Sequence, residues 1–170
     1  MHNNIFFIIG SSGSGKTTIV ELIRDMKIPN LVVCRSDSMK VPTTEEIIKK
    51  YGSMEKWQEI NTSNWVKNIK EKYLSNCSVV FDIQSRPSFI DEACKNNNIR
   101  NYKIILFDCS DEERKRRLIK ERKQPHLAND QMMDWARYLR EKCAEHCCII
   151  DNTNLTIIEN VNKLLIIIND

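Results

Sequence analysis

The stretch Ile5-Phe6-Phe7-Ile8-Ile9-Gly10-Ser11-Ser12-Gly13-Ser14-Gly15-Lys16-Thr17-Thr18 governs how the rest of the chain is read. Three of the four glycines lie within six residues of one another here, which a generic flexible linker does not explain. Gly10 to Thr17 fits G-x-x-x-x-G-K-[ST], a loop whose backbone N–H groups cradle a polyphosphate while its lysine, here Lys16, reaches the β and γ phosphates. Thr17 falls where such a loop ligates Mg²⁺, and Ser11, Ser12, Ser14 and Thr18 complete the cradle around Gly13 and Gly15. Because the anion also sits on the positive end of a helix, the motif requires a buried strand before it and a helix after it. Ile5–Ile9 is an unbroken apolar run, as a central parallel strand needs. Ile19, Leu22, Ile23 and Met26 recur at helical spacing behind the loop.

Outward from this stretch, strands and helices alternate. Pro29 ends the first helix near Lys27. Leu31-Val32-Val33-Cys34 reads as a second strand, and its polar exit Arg35-Ser36-Asp37-Ser38 falls where an open α/β sheet faces a ligand. A long excursion follows from Met39 to Asn76. Within it, Thr43-x-x-Glu46 opens a short helix closed by Gly52, and a longer helix spans about Met54 to Leu74. Trp57 and Trp65 on that helix have two readings, core packing and pocket wall, and periodicity favours packing.

Ser78-Val79-Val80-Phe81-Asp82 is the third strand, ending in a carboxylate suited to organising Mg²⁺ in a phosphate-loop protein. Arg86 follows in a loop on the same edge. Ser88-x-x-Asp91 is expected to cap the next helix. Tyr102 to Asp108 is the fourth strand, after which Ser110-x-x-Glu113 caps a helix dense in Arg and Lys, most of them on a solvated face. Gln124-Pro125 breaks it. Gln131 to Cys143 resumes, with Met132, Trp135, Ala136 and Leu139 as its buried stripe and Arg137 elsewhere on it. Cys147 to Asp151 is the fifth strand, and Thr156-x-x-Glu159 caps a last helix carrying Ile157, Val161, Leu164, Leu165 and Ile168. Five alternations call for an α/β fold, a doubly wound five-stranded parallel sheet with right-handed crossovers.

Bulk properties narrow the chemistry. A chain of 170 residues fits one domain with an adequate core. With 26 basic and 23 acidic residues the net charge is +3, too balanced to argue for nucleic acid or an anionic membrane. Seven cysteines without a C-x-x-C pair argue against a disulfide framework or a zinc site and for a reducing, cytoplasmic setting. No apolar run approaches membrane-spanning length.

With the elements placed, the chain resembles the small P-loop kinases of metabolites and nucleotides, the group of adenylate, shikimate and gluconate kinases. The likeness spans nearly the whole length. It implies sheet order 2-3-1-4-5, ATP and Mg²⁺ as cofactors, an acceptor-binding helical region at about residues 38–77, a short lid at about 117–130, and a small-molecule phosphate acceptor bound by a monomer or homodimer. The nearest local match is to shikimate kinase, from Asp108 through Arg117 and Gln124-Pro125 to Ala144. By that likeness Arg117 falls where the family stacks an arginine on adenine. The family's lid arginine is Gln124 here, which leaves Arg122 or Lys123 for that role. The single Asp37 and the glycine-free Asp82-Ile83-Gln84-Ser85-Arg86 depart from the shikimate-binding pattern, so the resemblance speaks for the donor half and not for shikimate. It makes Asp37 a general base toward the acceptor hydroxyl, with Mg²⁺ organiser and plain strand terminus as its other readings, the last shared by Asp82. Arg86 and Arg137 are candidates for an anionic group on the acceptor, or ordinary ion-paired residues. A P-loop hydrolase or nucleotide-gated regulator, and a nucleic-acid end kinase using the basic helix from Arg114 to Lys123 as a track, remain as alternatives.

Overall fold

In a computed structural model of the chain, residues 3–38 and 42–170 are described, with Ser38 described in its backbone alone. The first residues of the excursion expected from Met39, residues 39–41, lie outside them. Strands β1 (Ile5–Ile9), β2 (Leu31–Arg35), β3 (Ser78–Asp82), β4 (Tyr102–Asp108) and β5 (Cys148–Asp151) form one parallel sheet in the order β2-β3-β1-β4-β5. All strands are parallel, so every strand ends on the same edge. Ile9, Arg35, Asp82, Asp108 and Asp151 therefore deliver the loops that follow them to one rim.

The side-chain period of two splits β1 between two cores. Ile5, Phe7 and Ile9 join the cluster containing Val66, Ile69, Ile90 and Leu139, and Phe6 and Ile8 join the cluster containing Ile19, Val20, Ile23 and Leu164. One face is thus covered by α3 (Met54–Tyr73), α4 (Pro87–Asn96) and α6 (Asp130–Cys143), and the other by α1 (Lys16–Asp25) and α7 (Ile157–Asn169). Burial on both faces is what makes the strand an uninterrupted apolar run. α2 (Thr44–Tyr51) carries the expected reciprocal cap between Thr43 and Glu46 and ends at Gly52. α7 carries its own between Thr156 and Glu159.

Local expectations fail in three places. Ser88 does not cap α4: Pro87 takes the first helical position and Arg86 the cap position, because a proline with its φ already set and no N–H to satisfy opens a helix without a side-chain acceptor. In α6 the buried stripe is Met133, Ala136, Leu139 and Cys143, which turns Met132 toward a cleft and leaves Trp135 half-buried, packed against the core on one side and lining the cleft on the other. In α7, Ile157 is 54% exposed, since the burial is supplied by Val161 and Leu164 nearer the middle of the helix. After α5 (Asp111–Arg116) the basic helix widens into a π turn, Arg117–Glu121, in which Arg122 N–H donates to Arg117 O at 2.9 Å.

Candidate functional site

The loop between β1 and α1 sits at the middle of the rim. Its glycines answer to space. A Cβ on Gly10 would stand 2.5 Å from the carbonyl oxygen of Phe107, and one on Gly13, where φ is 82°, would stand 3.0 Å from Leu118 Cγ and 3.1 Å from Arg114 Cγ. Lys16, Thr17 and Thr18 open α1, and no side chain caps that helix end. Its leading N–H groups therefore face the loop with the positive end of the helix dipole, the arrangement that favours an anion. The buried hydroxyls of Ser11 and Ser14 have no hydrogen-bond partner, a polar surplus inside the loop.

Asp82, 4% exposed at the end of β3, ties the loop to the sheet. Its carboxylate stands 2.9 Å from Lys16 Nζ and accepts from Thr17 Oγ1 at 3.1 Å. A hydroxyl and a carboxylate side by side are hard oxygen donors of the kind Mg²⁺ takes, one or two from protein and the remainder from phosphate and water. Among the described residues no group of three or more His, Cys, Asp or Glu is placed to hold a metal ion. The residues present fit Mg²⁺ held by Thr17 and Asp82.

On one side of the loop, Arg117 points at Gly15: its Nη1 would lie 3.7 Å from a Cβ placed there. It is held by Glu113 at 2.7 Å and by Asn152, whose Oδ1 accepts from Arg117 Nη1 at 2.8 Å. Asn152 Nδ2 in turn donates to Ser14 O at 2.6 Å. Arg116 and then Arg117 push the Glu113 carboxyl down to about 2. Arg122 stands exposed at the end of the π turn.

Beneath the loop lies a network that sequence reasoning missed. Arg114, read as part of a solvated face, is 0% exposed. Its Nη2 donates to Asp108 Oδ1 at 2.5 Å and to Cys109 O at 3.2 Å, and its Nη1 to Ser12 O at 3.3 Å. Arg140 on α6 takes the other Asp108 oxygen at 2.5 Å and Asp111 at 2.6 Å, and its hydrogen bond holds the Asp111 carboxyl below the usual carboxylate range. Helical spacing shows only that Arg114 and Arg117 share a face. Nothing in the sequence marks Arg114 or Asn152 as parts of the loop, since each reaches it across about a hundred residues or more, Arg114 at Ser12 O and Asn152 at Ser14 O.

On the other side of the rim a cleft of about 1130 Å³ opens between α3 and α6, beside the ends of β2 and β3. Asp37 lines it, 56% exposed and paired with Arg35 at 2.8 Å. Arg86 lines it too. Its Nη1 donates to Gln58 Oε1 at 3.0 Å, Glu55 lies 3.5 Å from its Nε, and the rings of Phe89, Trp135 and Tyr138 surround its guanidinium at 5.5 to 5.6 Å. Trp57 and Trp65 are cleft walls, with Trp65 also tilted on Phe81 at 5.3 Å. Arg137 is not brought into this cleft: it is 59% exposed and paired with Asp134 at 2.8 Å, because α6 turns the Trp135 and Tyr138 face inward.

A phosphate loop on a 2-3-1-4-5 sheet, with a roomy cleft on the same rim, defines a P-loop nucleotide-binding domain of kinase-like fold. The chain belongs to the AAA domain family, whose match covers residues 9–136. No curated protein sequence matches it. Among solved structures, a sugar kinase from Janibacter sp. HTCC2649 superposes with a TM-score of 0.70 at 16% identity over 96% of this chain and 93% of its own. Shikimate kinase from Bacteroides thetaiotaomicron does so with a TM-score of 0.66 at 20% identity, covering 100% of both chains. Thymidylate kinase from Candida albicans has a TM-score of 0.67 at 13% identity over 99% of this chain and 92% of its own. Likeness at this level of identity is one of fold. No helix among the described residues is long and apolar enough to cross a membrane.

Proposed function

We propose that the chain is an ATP-dependent phosphotransferase that moves the γ-phosphoryl group to a hydroxyl or phosphate of a small metabolite or nucleotide. The observation that carries this reading is the adjacency of two sites: the loop of Lys16 and Thr17 meets Asp82, and the strand paired with β3 delivers Asp37 to the wall of a roomy cleft. A hydrolase or switch needs the first site and has no use for the second.

In this reading Lys16 exchanges its ion pair with Asp82 for the β and γ phosphates, and the loop amides fix the donor in line with the cleft. Thr17 and Asp82 hold Mg²⁺, which when bound neutralises charge on the phosphate oxygens. Arg117 packs on the adenine and Arg122 closes over the phosphates. Asp37, held by Arg35 at 2.8 Å, accepts the proton of the acceptor hydroxyl. The α2–α3 region binds the acceptor and the 117–130 segment serves as the lid. Arg114, Arg116 and Arg117 all have internal partners, which supports a small acceptor over a nucleic-acid track along the basic helix.

The test is ATP turnover across a panel of nucleosides, nucleotides, sugar acids and antibiotics. Lys16→Ala is expected to abolish ATP binding and turnover. Turnover retained in that variant refutes the reading.

A further inference from the structure

The cleft between α3 and α6 carries chemistry that narrows the acceptor. Resting on the phosphotransfer reading, we propose that the acceptor is a nucleoside, a hydroxyl-bearing molecule with a flat base and no phosphate of its own.

Charge is the first reason. Among the described residues lining the cleft, the cation is Arg86, against the carboxylates of Asp37, Glu55 and Asp134. Arg86 is not poised for an anion. Glu55 lies 3.5 Å away, Gln58 takes one of its N–H groups, and three aromatic rings share its charge. A monophosphate entering here would meet carboxylates and displace partners, whereas a neutral molecule meets no such barrier.

Shape is the second. Trp135 and Tyr138 stack with centroids 5.3 Å apart and planes within 12°, and Arg86 lies against both rings, so two nearly parallel aromatic planes line that side of the cleft. Trp57 and Trp65 stand on the α3 side. A base stacks on such surfaces without regard to charge. The third reason is the kind of polar group present. Asn61, Gln84 and Gln131 line the cleft with amides, each pairing a donor with an acceptor as base edges do. Gln58 is held in one orientation, its Oε1 accepting from Arg86 and its Nε2 donating to Gln84 O at 3.1 Å. Asp37 at the rim is then left for a sugar hydroxyl, the group that receives phosphate.

The experiment uses the protein's own fluorescence, because all three tryptophans line the cleft. With the donor site filled by a non-hydrolysable ATP analogue and Mg²⁺, the full chain is titrated with adenosine, guanosine, cytidine and uridine and with their 5′-monophosphates. Excitation is set at the red edge of tryptophan absorption. At least one nucleoside is expected to quench saturably and to bind at least tenfold more tightly than its monophosphate, and Glu55→Gln is expected to narrow that gap several-fold. A monophosphate that binds as tightly as its nucleoside, or quenching by no nucleoside at all, overturns the assignment. Incubation of the bound nucleoside with ATP then separates the two readings: tight binding without ATP-dependent phosphorylation refutes the phosphotransfer reading and leaves the ligand class standing.

Discussion

Replacing Arg114 with Met tests whether the buried network under the phosphate loop is a structural necessity. The guanidinium is fully buried and donates to Asp108, Cys109 O and Ser12 O. Removing one partner of a buried pair generally costs about 3–5 kcal/mol. Here Arg140 still covers the second Asp108 oxygen and Cys109 O, so Asp108 keeps a cationic partner while its Oδ1 and Ser12 O lose this donor, which places the effect near the low end, about 3 kcal/mol. For a chain of this size each kcal/mol shifts Tm by roughly 2–4 °C, so a fall of about 6–12 °C is expected by calorimetry or circular dichroism. Arg116 is the internal control. It sits two residues along, 43% exposed and paired with Glu113 and Glu121. Surface pairs of that kind are screened by solvent and contribute little, so Arg116→Met is expected to move Tm far less than Arg114→Met does. Because Ser12 belongs to the phosphate cradle, Arg114→Met is also expected to weaken ATP binding, which titration calorimetry below the lowered Tm reads directly. Equal Tm shifts in the two variants would falsify the account of Arg114 as the bolt between β4 and the loop.

Further expectations follow from the same geometry. Asp37→Asn is expected to leave ATP affinity within about twofold while transfer falls by at least about a hundredfold, as loss of a general base does; parallel loss of both identifies Asp37 as a Mg²⁺ organiser instead. Glu113, held down to about 2 against an ordinary 4.5 by Arg116 and Arg117, contributes stability that is complete above about pH 4.5 and is lost as pH falls toward 2. Glu113→Gln is therefore expected to flatten acid denaturation across that window, and an unchanged acid profile argues against the pairing. Asn152→Ala removes the bridge between Ser14 O and Arg117, so ATP should bind roughly tenfold more weakly while pyrophosphate, which lacks the adenine, binds nearly as before; equal loss for both ligands places the defect in the loop itself.

The phosphate loop of this protein was legible in the sequence because its chemistry is local. A strand, a glycine-rich loop, a lysine and a helix N-terminus lie in one continuous stretch from Ile5 to Asp25, and backbone geometry alone assembles them. The helix caps at Thr43 and Thr156 were readable for the same reason, since caps act over three residues, and the alternation of strands and helices called for a parallel sheet, whose order 2-3-1-4-5 the family resemblance implied. Tertiary structure alone decided which way side chains of equal periodicity turn. Met132 and Met133 are neighbours on α6, and a rotation of the helix by one residue separates core from cleft. Arg114 and Arg116 look alike in a basic run, yet one is buried beneath the phosphate loop and the other faces solvent, because Arg114 lies over Asp108 at the end of its own strand and meets Ser12 O, which the β1 loop brings from about a hundred residues away. The cleft beside the phosphate loop belongs to this second kind of information. Its walls come from α3, the end of β3 and α6, which pack together across some eighty residues of sequence, and packing at that distance leaves no mark in spacing.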